Sequence, residues 1–334
     1  MSDKKEAIGV VGGGSWATAL VKMLSENGHK VHWYMRNTEA IDQILKEQHN
    51  PNYLSSVSFN LDFIVLSGEL DQVVGAVRKI IFAIPSAFLA GELEKMSESL
   101  KDKVIFSAIK GIVPQTGLIV GAHFNQHHQV PMEQIGVITG PCHAEEVALE
   151  RLSFLTIACA NITLAEEMAQ ALDSHYIRTT ISDDIIGAEY AAVLKNIYAI
   201  AAGIAHGLGY GDNFQAVLMS NAIREMKRFI KRVYAMKRNI NQTAYLGDLL
   251  VTGYSVFSRN RMFGNMIGKG YTVKSATMEM NMVAEGYYAT KSAFEIMDAL
   301  NRKSKTPIIT AVYEILYLQK NPKSVFKQLI EQLD

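Results

Sequence analysis

A doubly wound α/β half followed by an all-α half is the fold predicted by three features of the sequence. Short β-rich runs alternate with helical patterns up to about residue 182. A glycine-rich turn joins the first of those runs to the first helical pattern. Beyond residue 182 long helical patterns dominate and strand-like runs become scarce. Strands alternating with helices predict a mostly parallel sheet covered on both faces.

The elements follow in order. AIGVVG (7–12) predicts a buried strand, and SWATALVKMLSENG a helix ending at Gly28. KVHWYMR (30–36) predicts the second strand and TEAIDQILKEQ the second helix. Residues 50–70, with Pro51 and several serines, predict a loop and an irregular strand. RKIIFAIP (78–85), KVIFSAIKG (103–111), IGVITGP (135–141) and LSFLTIACA (152–160) continue the strand series. In the second half, residues 183–209 and 214–238 predict two long helices, with several shorter ones to the C-terminus. The expected partition is 1–182 and 183–334, without internal repeats or low-complexity tracts.

Composition bounds the function. A chain of 334 residues accommodates two domains, since single cores rarely grow beyond ~250–300 residues. With 49% apolar and 20% charged residues it is not a disordered composition. The 33 basic and 33 acidic residues cancel, so no overall field draws the chain to nucleic acid or an anionic membrane. The basic run KRFIKRVYAMKR (227–238) reads as a solvated helix face. Two cysteines form no framework, and the N-terminal segment has no signal-like apolar region; a cytoplasmic protein is expected. The longest apolar stretches are interrupted by Glu189, Lys195 or His206, so no membrane span is expected. The nine histidines show no helical pair with a nearby acid, and no metal site is expected.

Gly12-Gly13-Gly14-Ser15-Trp16-Ala17 sits between strand and helix as a Gly-x-Gly-x-x-Ala fingerprint. Gly12 permits the tight turn, Gly14 lets backbone approach a pyrophosphate, and the small Ala17 lets the helix pack on the sheet. The predicted first domain is therefore of Rossmann type, with a dinucleotide phosphate on the helix N-terminus. The end of the second strand carries Tyr34-Met35-Arg36-Asn37 and no acid before Glu39. Arg36 is either a partner for a 2′-phosphate or an ordinary exposed arginine, so NAD and NADP both stay open. Lys110-Gly111 at a strand end and Gly140-Pro141-Cys142-His143 at a strand-to-helix turn lie where open α/β sheets gather ligand contacts.

The segment AAVLKNIYAIAAGIAHGLGYGDN (191–213) poses the sharpest question, because it places Lys195 and Asn196 among apolar residues of a helix whose pattern predicts burial. Such a lysine is costly unless a charge pairs with it or it is neutral. Asp248, in the Gly247-Asp248 pair, is a candidate partner. Ser258-Arg259-Asn260-Arg261 offers a fork for phosphate or carboxylate, or alternatively a surface loop with capping residues.

GGGSWATAL, IPSAFL, AIKG, GPCHAEE, VLKNIYAIAAGIAHGLGYGDN, GDLLVTGYSVFSRNRMFG and NMVAEG occur in the order seen in NAD(P)-dependent glycerol-3-phosphate dehydrogenase, bacterial type, which the chain resembles from Gly9 to about Glu285. The resemblance implies an enzyme interconverting dihydroxyacetone phosphate and sn-glycerol 3-phosphate, a homodimer that supplies phospholipid synthesis. It implies Lys195 as catalytic acid/base with Asp248 beside it. It implies substrate contacts at Lys110, Gly140, Cys142, Lys195, Asp248, Ser258, Arg259 and Asn260. It implies cofactor contacts at Gly12, Gly14, Ser15, Trp16, Arg36, Lys110, Ala144, Arg259, Val283 and Glu285. Cys142 stands where the family usually has serine, Gly253 where a cysteine is common, and Ala17 where the third glycine stands. The thiol is the weaker hydrogen-bonding group, and the Gly253 difference is expected to be one of packing.

In the implied chemistry Lys195 protonates the developing alkoxide, Arg259 and Asn260 hold the phosphate, and Lys110 adds positive charge near the oxygen. A two-domain 3-hydroxyacid dehydrogenase shares this plan but not the Ser258-Arg259-Asn260 cluster. A cofactor-binding sensor without catalysis has no use for Lys195 in an apolar helix.

Overall fold

The computed structural model describes residues 5–280 and 284–334. The chain divides into two compact units. The first runs to Ile109 and resumes over Val120–Ile185; the second comprises Lys110–Ile119 and Ile186–Asp334.

The first unit is built on an eight-stranded sheet. Its strands are β1 (Ile8–Val11), β2 (Val31–Tyr34), β3 (Ile64–Ser67), β4 (Lys79–Phe82) and β5 (Val104–Ser107), then β8 (Ile135–Thr139), β9 (Ser153–Cys159) and β10 (Ile177–Ser182). The intervening β6 (Ile112–Val113) and β7 (Leu118–Ile119) form a separate antiparallel hairpin that belongs to the second unit. The order is β10-β9-β8-β5-β4-β1-β2-β3, parallel throughout except for the antiparallel β8–β9 pair. β1, β4 and β5 are buried at every residue, as strands covered on both faces require. The helices of this unit are α1 (Ser15–Glu26), α2 (Thr38–Glu47), α3 (Leu70–Ala76), α4 (Ser86–Leu93), α5 (Val120–His128), α6 (Ala144–Ala148) and α7 (Ile162–Leu172). The irregular segment expected over 50–70 resolves into a short helical turn, Leu61–Phe63, leading directly into β3.

The second unit is helical apart from its hairpin: α8 (Ile185–Gly207, starting at the boundary), α9 (Asp212–Val233), α10 (Asp248–Tyr254), α11 (Arg259–Gly268), α12 (Val273–Glu279), α13 (Glu285–Ala299), α14 (Pro307–Leu316) and α15 (Pro322–Ile330). The hairpin packs against α13. Sequence reading treats the α8 region as too interrupted to span a bilayer, and here the structure corrects it. α8 is one continuous helix of 23 residues, long and apolar enough by length and composition. Nearly all of its most apolar window is buried within the protein, which is what an all-round apolar core helix shows.

α8 and α11 cross with their backbones in contact. A Cβ on Gly203 would lie 2.1 Å from the Arg261 carbonyl oxygen, and one on Gly264 would lie 2.1 Å from that of Ile200. Gly207 and Gly268 meet the Asn265 and Ile204 carbonyls in the same way, each at 2.4 Å. Two Gly-x-x-x-Gly faces thus allow an approach that any side chain would block.

Candidate functional site

The first unit contributes a site made largely of backbone. Gly12 has φ +136°, a conformation L side chains rarely adopt, and a Cβ there would lie 2.5 Å from the Ala83 carbonyl oxygen. The carbonyls of the turn are held from the protein side. Trp33 Nε1 donates to Gly12 O at 2.6 Å, Asn50 Nδ2 to Gly13 O at 3.3 Å, and Thr18 N to Gly14 O at 2.9 Å. The amides of Gly13, Gly14 and Ser15 meet no acceptor among the described residues. Around Gly14 there is open space where a side chain would stand, and no side chain caps α1. Amides without an intramolecular acceptor at a helix N-terminus suit a pyrophosphate, so the turn fits the phosphates of a dinucleotide. Trp33 and Asn50, which hold it, are not among the residues sequence reasoning selects.

The other selected residues of this unit sit at strand ends. Arg36 follows β2 and is exposed. Gly140 directly follows β8 with φ +116°, and a Cβ there would lie 2.7 Å from the Phe154 carbonyl oxygen. Cys142 is buried and forms no disulfide with a described residue. Ala144 is the buried first residue of α6.

The second unit answers the question posed by Lys195. The residue is 4% exposed, and its ammonium donates a short hydrogen bond to Asp248 Oδ1. Asp248 is itself buried, opening α10 directly after a π-helical turn, Thr243–Gly247; turns of that kind often occur at functional sites. Burial lowers the Lys195 pKa; the Asp248 carboxylate opposes it, and the neighbouring Lys110 ammonium lowers it further, giving a value of about 7. A lysine poised there can give or take a proton near neutrality.

Asn196, next to it on α8, supports the lysine at the hairpin: its Nδ2 donates to the Lys110 carbonyl at 2.8 Å. The same stretch of α8 reaches α11 and α13. A Cβ on Gly286 would lie 2.6 Å from the Asn196 carbonyl oxygen, and the Gly286 amide donates to Asn260 Oδ1 at 2.9 Å. Lys110, Lys195, Asp248 and Asn260 are thereby tied into one framework. Arg259 opens α11, half-buried and without an ion pair to any described residue. Ser258 caps α11, its Oγ accepting from the Arg261 amide at 3.3 Å. A helix N-terminus carrying an arginine suits an anion. Glu285 opens α13. Val283 lies outside the described residues. Gly253 faces Met219, whose Sδ would lie 2.6 Å from a Cβ there, so a side chain at that position would require Met219 to shift. No group of three or more metal-ligating side chains occurs among the described residues.

Sequence profiles of the NAD-dependent glycerol-3-phosphate dehydrogenase N-terminus and C-terminus match residues 7–165 and 184–327. Among curated relatives, a glycerol-3-phosphate dehydrogenase [NAD(P)+] of Bacillus cytotoxicus is 34% identical over 327 residues, covering 97% of this chain and 94% of that protein. One from Limosilactobacillus fermentum is 33% identical over 330 residues, covering 97% of each. The crystal structure of glycerol-3-phosphate dehydrogenase from Coxiella burnetii is similar with a TM-score of 0.88 and 27% identity, over 98% of this chain and 99% of that one.

Proposed function

The chain belongs to the NAD(P)-dependent glycerol-3-phosphate dehydrogenases, and we propose that it interconverts dihydroxyacetone phosphate and sn-glycerol 3-phosphate. When bound, NAD(H) or NADP(H) supplies or accepts the hydride. The observation that carries the reading is the buried Lys195–Asp248 pair beside Lys110.

Lys195 is the acid/base: it gives its proton to the substrate oxygen in reduction and takes it back in oxidation. Its pKa of about 7 leaves both forms populated near neutral pH. Asp248 orients the ammonium and keeps the pKa from falling further. Lys110 supplies a second positive charge to the oxygen. Arg259, with Ser258 and Asn260 at the start of α11, binds the phosphate, and anchoring this remote group orients the ketone. Gly140 and Cys142 are assigned to the substrate. Gly12, Gly14, Ser15, Trp16, Arg36, Ala144, Val283 and Glu285 are assigned to the cofactor, with Lys110 and Arg259 serving both ligands. The partition is a nucleotide-binding part through 182 and a helical substrate part from 183; the protein acts as a cytoplasmic homodimer feeding phospholipid synthesis.

The test follows cofactor absorbance with dihydroxyacetone phosphate, comparing NADH and NADPH. Turnover dependent on the phosphorylated ketone is expected. Tight cofactor binding without such turnover would overturn the assignment.

A further inference from the structure

The end of β2 holds a polar cluster in which Arg36 is only the outermost member. Tyr34, the buried last residue of β2, donates its hydroxyl to Glu92 Oε2 at 2.7 Å. Glu92 lies on α4 with its side chain 8% exposed. Its other oxygen, Oε1, accepts from Lys95 Nζ at 2.9 Å and faces Arg36 Nη1 at 3.7 Å. The Arg36 guanidinium also lies 5.8 Å from the centre of the exposed Phe88 ring, on the same helix. Burial pushes the Glu92 carboxyl up, but the bonds from Lys95 and Tyr34 and the charge of Arg36 outweigh it and hold the group below its ordinary value. Glu92 is therefore an anion at neutral pH.

In a dinucleotide-binding sheet the residue at this strand end meets the adenosine ribose. An acid there favours a free 2′-hydroxyl, and an arginine favours a 2′-phosphate. Here the arginine stands at the strand end and the acid comes from α4, directed at the arginine. Both Glu92 oxygens are engaged within the protein, so the carboxylate acts on the cofactor through Arg36. We propose that Glu92 is a positioning residue that sets cofactor preference, holding Arg36 over Phe88 and cancelling part of its charge so that NAD(H) and NADP(H) are both used. Lys95 works against it, competing for Oε1 and adding a cation. This rests on the assignment of Arg36 to the cofactor made above.

The test is the ratio of kcat/KM with NADPH to that with NADH, measured in Glu92→Gln, Lys95→Gln, Arg36→Gln and the double variant Arg36→Gln/Glu92→Gln. Removing the carboxylate should raise the ratio about three- to fivefold, the scale of an ion pair near the surface. Lys95→Gln should lower it about twofold, because it removes a cation and frees Glu92 for Arg36. Opposite signs are what a loss of structural support does not give. With Arg36 already replaced, Glu92→Gln should leave the ratio where Arg36→Gln alone puts it. Equal losses with both cofactors in Glu92→Gln, or a shift of the same sign in Lys95→Gln, would overturn the proposal. If Arg36→Gln moves the ratio and Glu92→Gln does not, this inference alone falls. If Arg36→Gln alters neither cofactor's KM, the assignment of Arg36 falls with it. Lys95 is exposed, so its variant carries the test even where Glu92→Gln folds poorly.

Discussion

Two buried lysines, one at the start of β4 and one in the middle of α8, have opposite electrostatic fates. Lys79 is 6% exposed and Lys195 4%, so burial alone penalises the charge of both. Lys79 bonds two carboxylates, Glu6 at 2.5 Å and Glu167 at 2.6 Å, and their attraction outweighs burial to raise its pKa. Lys195 has the single carboxylate of Asp248 and a second ammonium, Lys110, nearby; burial wins and its pKa falls to about 7. What separates an ion-paired structural lysine from a proton carrier is therefore the balance of neighbouring charges together with the depth of burial, since the partners of Lys79 are about 42–44% exposed and Asp248 is buried with Lys195. Lys22 follows the structural pattern in its geometry, with Glu26 at 2.5 Å and Glu150 at 3.0 Å.

The most severe way to break this contrast is to remove each ammonium. Lys195→Met should lower kcat on the order of 10²–10⁴-fold, the usual contribution of a general acid/base. Cofactor affinity, read by fluorescence titration, should persist. Lys79→Met should leave turnover unchanged. Next in size is the phosphate anchor: Arg259→Ala should raise the substrate KM roughly 10- to 100-fold, the scale of a lost charge-assisted hydrogen bond. An unchanged KM would remove Arg259 from substrate binding.

A pH series sharpens the contrast further. Reduction requires charged Lys195 and should decline as pH rises through about 7, while oxidation requires the neutral amine and should rise through the same value. Asp248→Asn removes the group that favours the charge, so both limbs should move down by about one pH unit or more. Stability follows the same logic with opposite signs. Between about pH 7 and the ordinary lysine value the unfolded chain binds more protons at Lys195 than the folded one, so this residue makes stability rise with pH there. Lys79, with its raised pKa, contributes stability that is present below its ordinary value and is lost as pH climbs through the folded one. The smallest effect is Lys79→Met on folding. Its partners are about 42–44% exposed and can be rehydrated, so the loss in chemical denaturation should be about 1–2 kcal/mol, below that of a fully buried pair.

The α/β half is legible in the sequence because its signals are local. Strand alternation and the Gly12–Ala17 turn are short-range patterns, and Gly12 carries the backbone conformation the turn needs. Lys195 is legible as an oddity, since a charge among small apolar residues stands out. Its partner is harder to read, because Asp248 lies 53 residues away and only folding joins them. The α8–α11 crossing left a trace in the spacing of Gly203 with Gly207 and Gly264 with Gly268, a signal that could have predicted close helix packing. Trp33 and Asn50 left none, because a side chain that supports a turn from another strand or loop has no spacing rule. The capping and anion-binding readings of Ser258-Arg259 are compatible, since Ser258 caps α11 while Arg259 remains unpaired by acids among the described residues.

A direct titration tests the account at its centre. In protein carrying ¹³C at the lysine Cε, the signal absent from the Lys195→Met spectrum should titrate near pH 7. A midpoint near the ordinary lysine value would show that Asp248 has kept Lys195 permanently charged, and would contradict its role as the exchangeable acid/base.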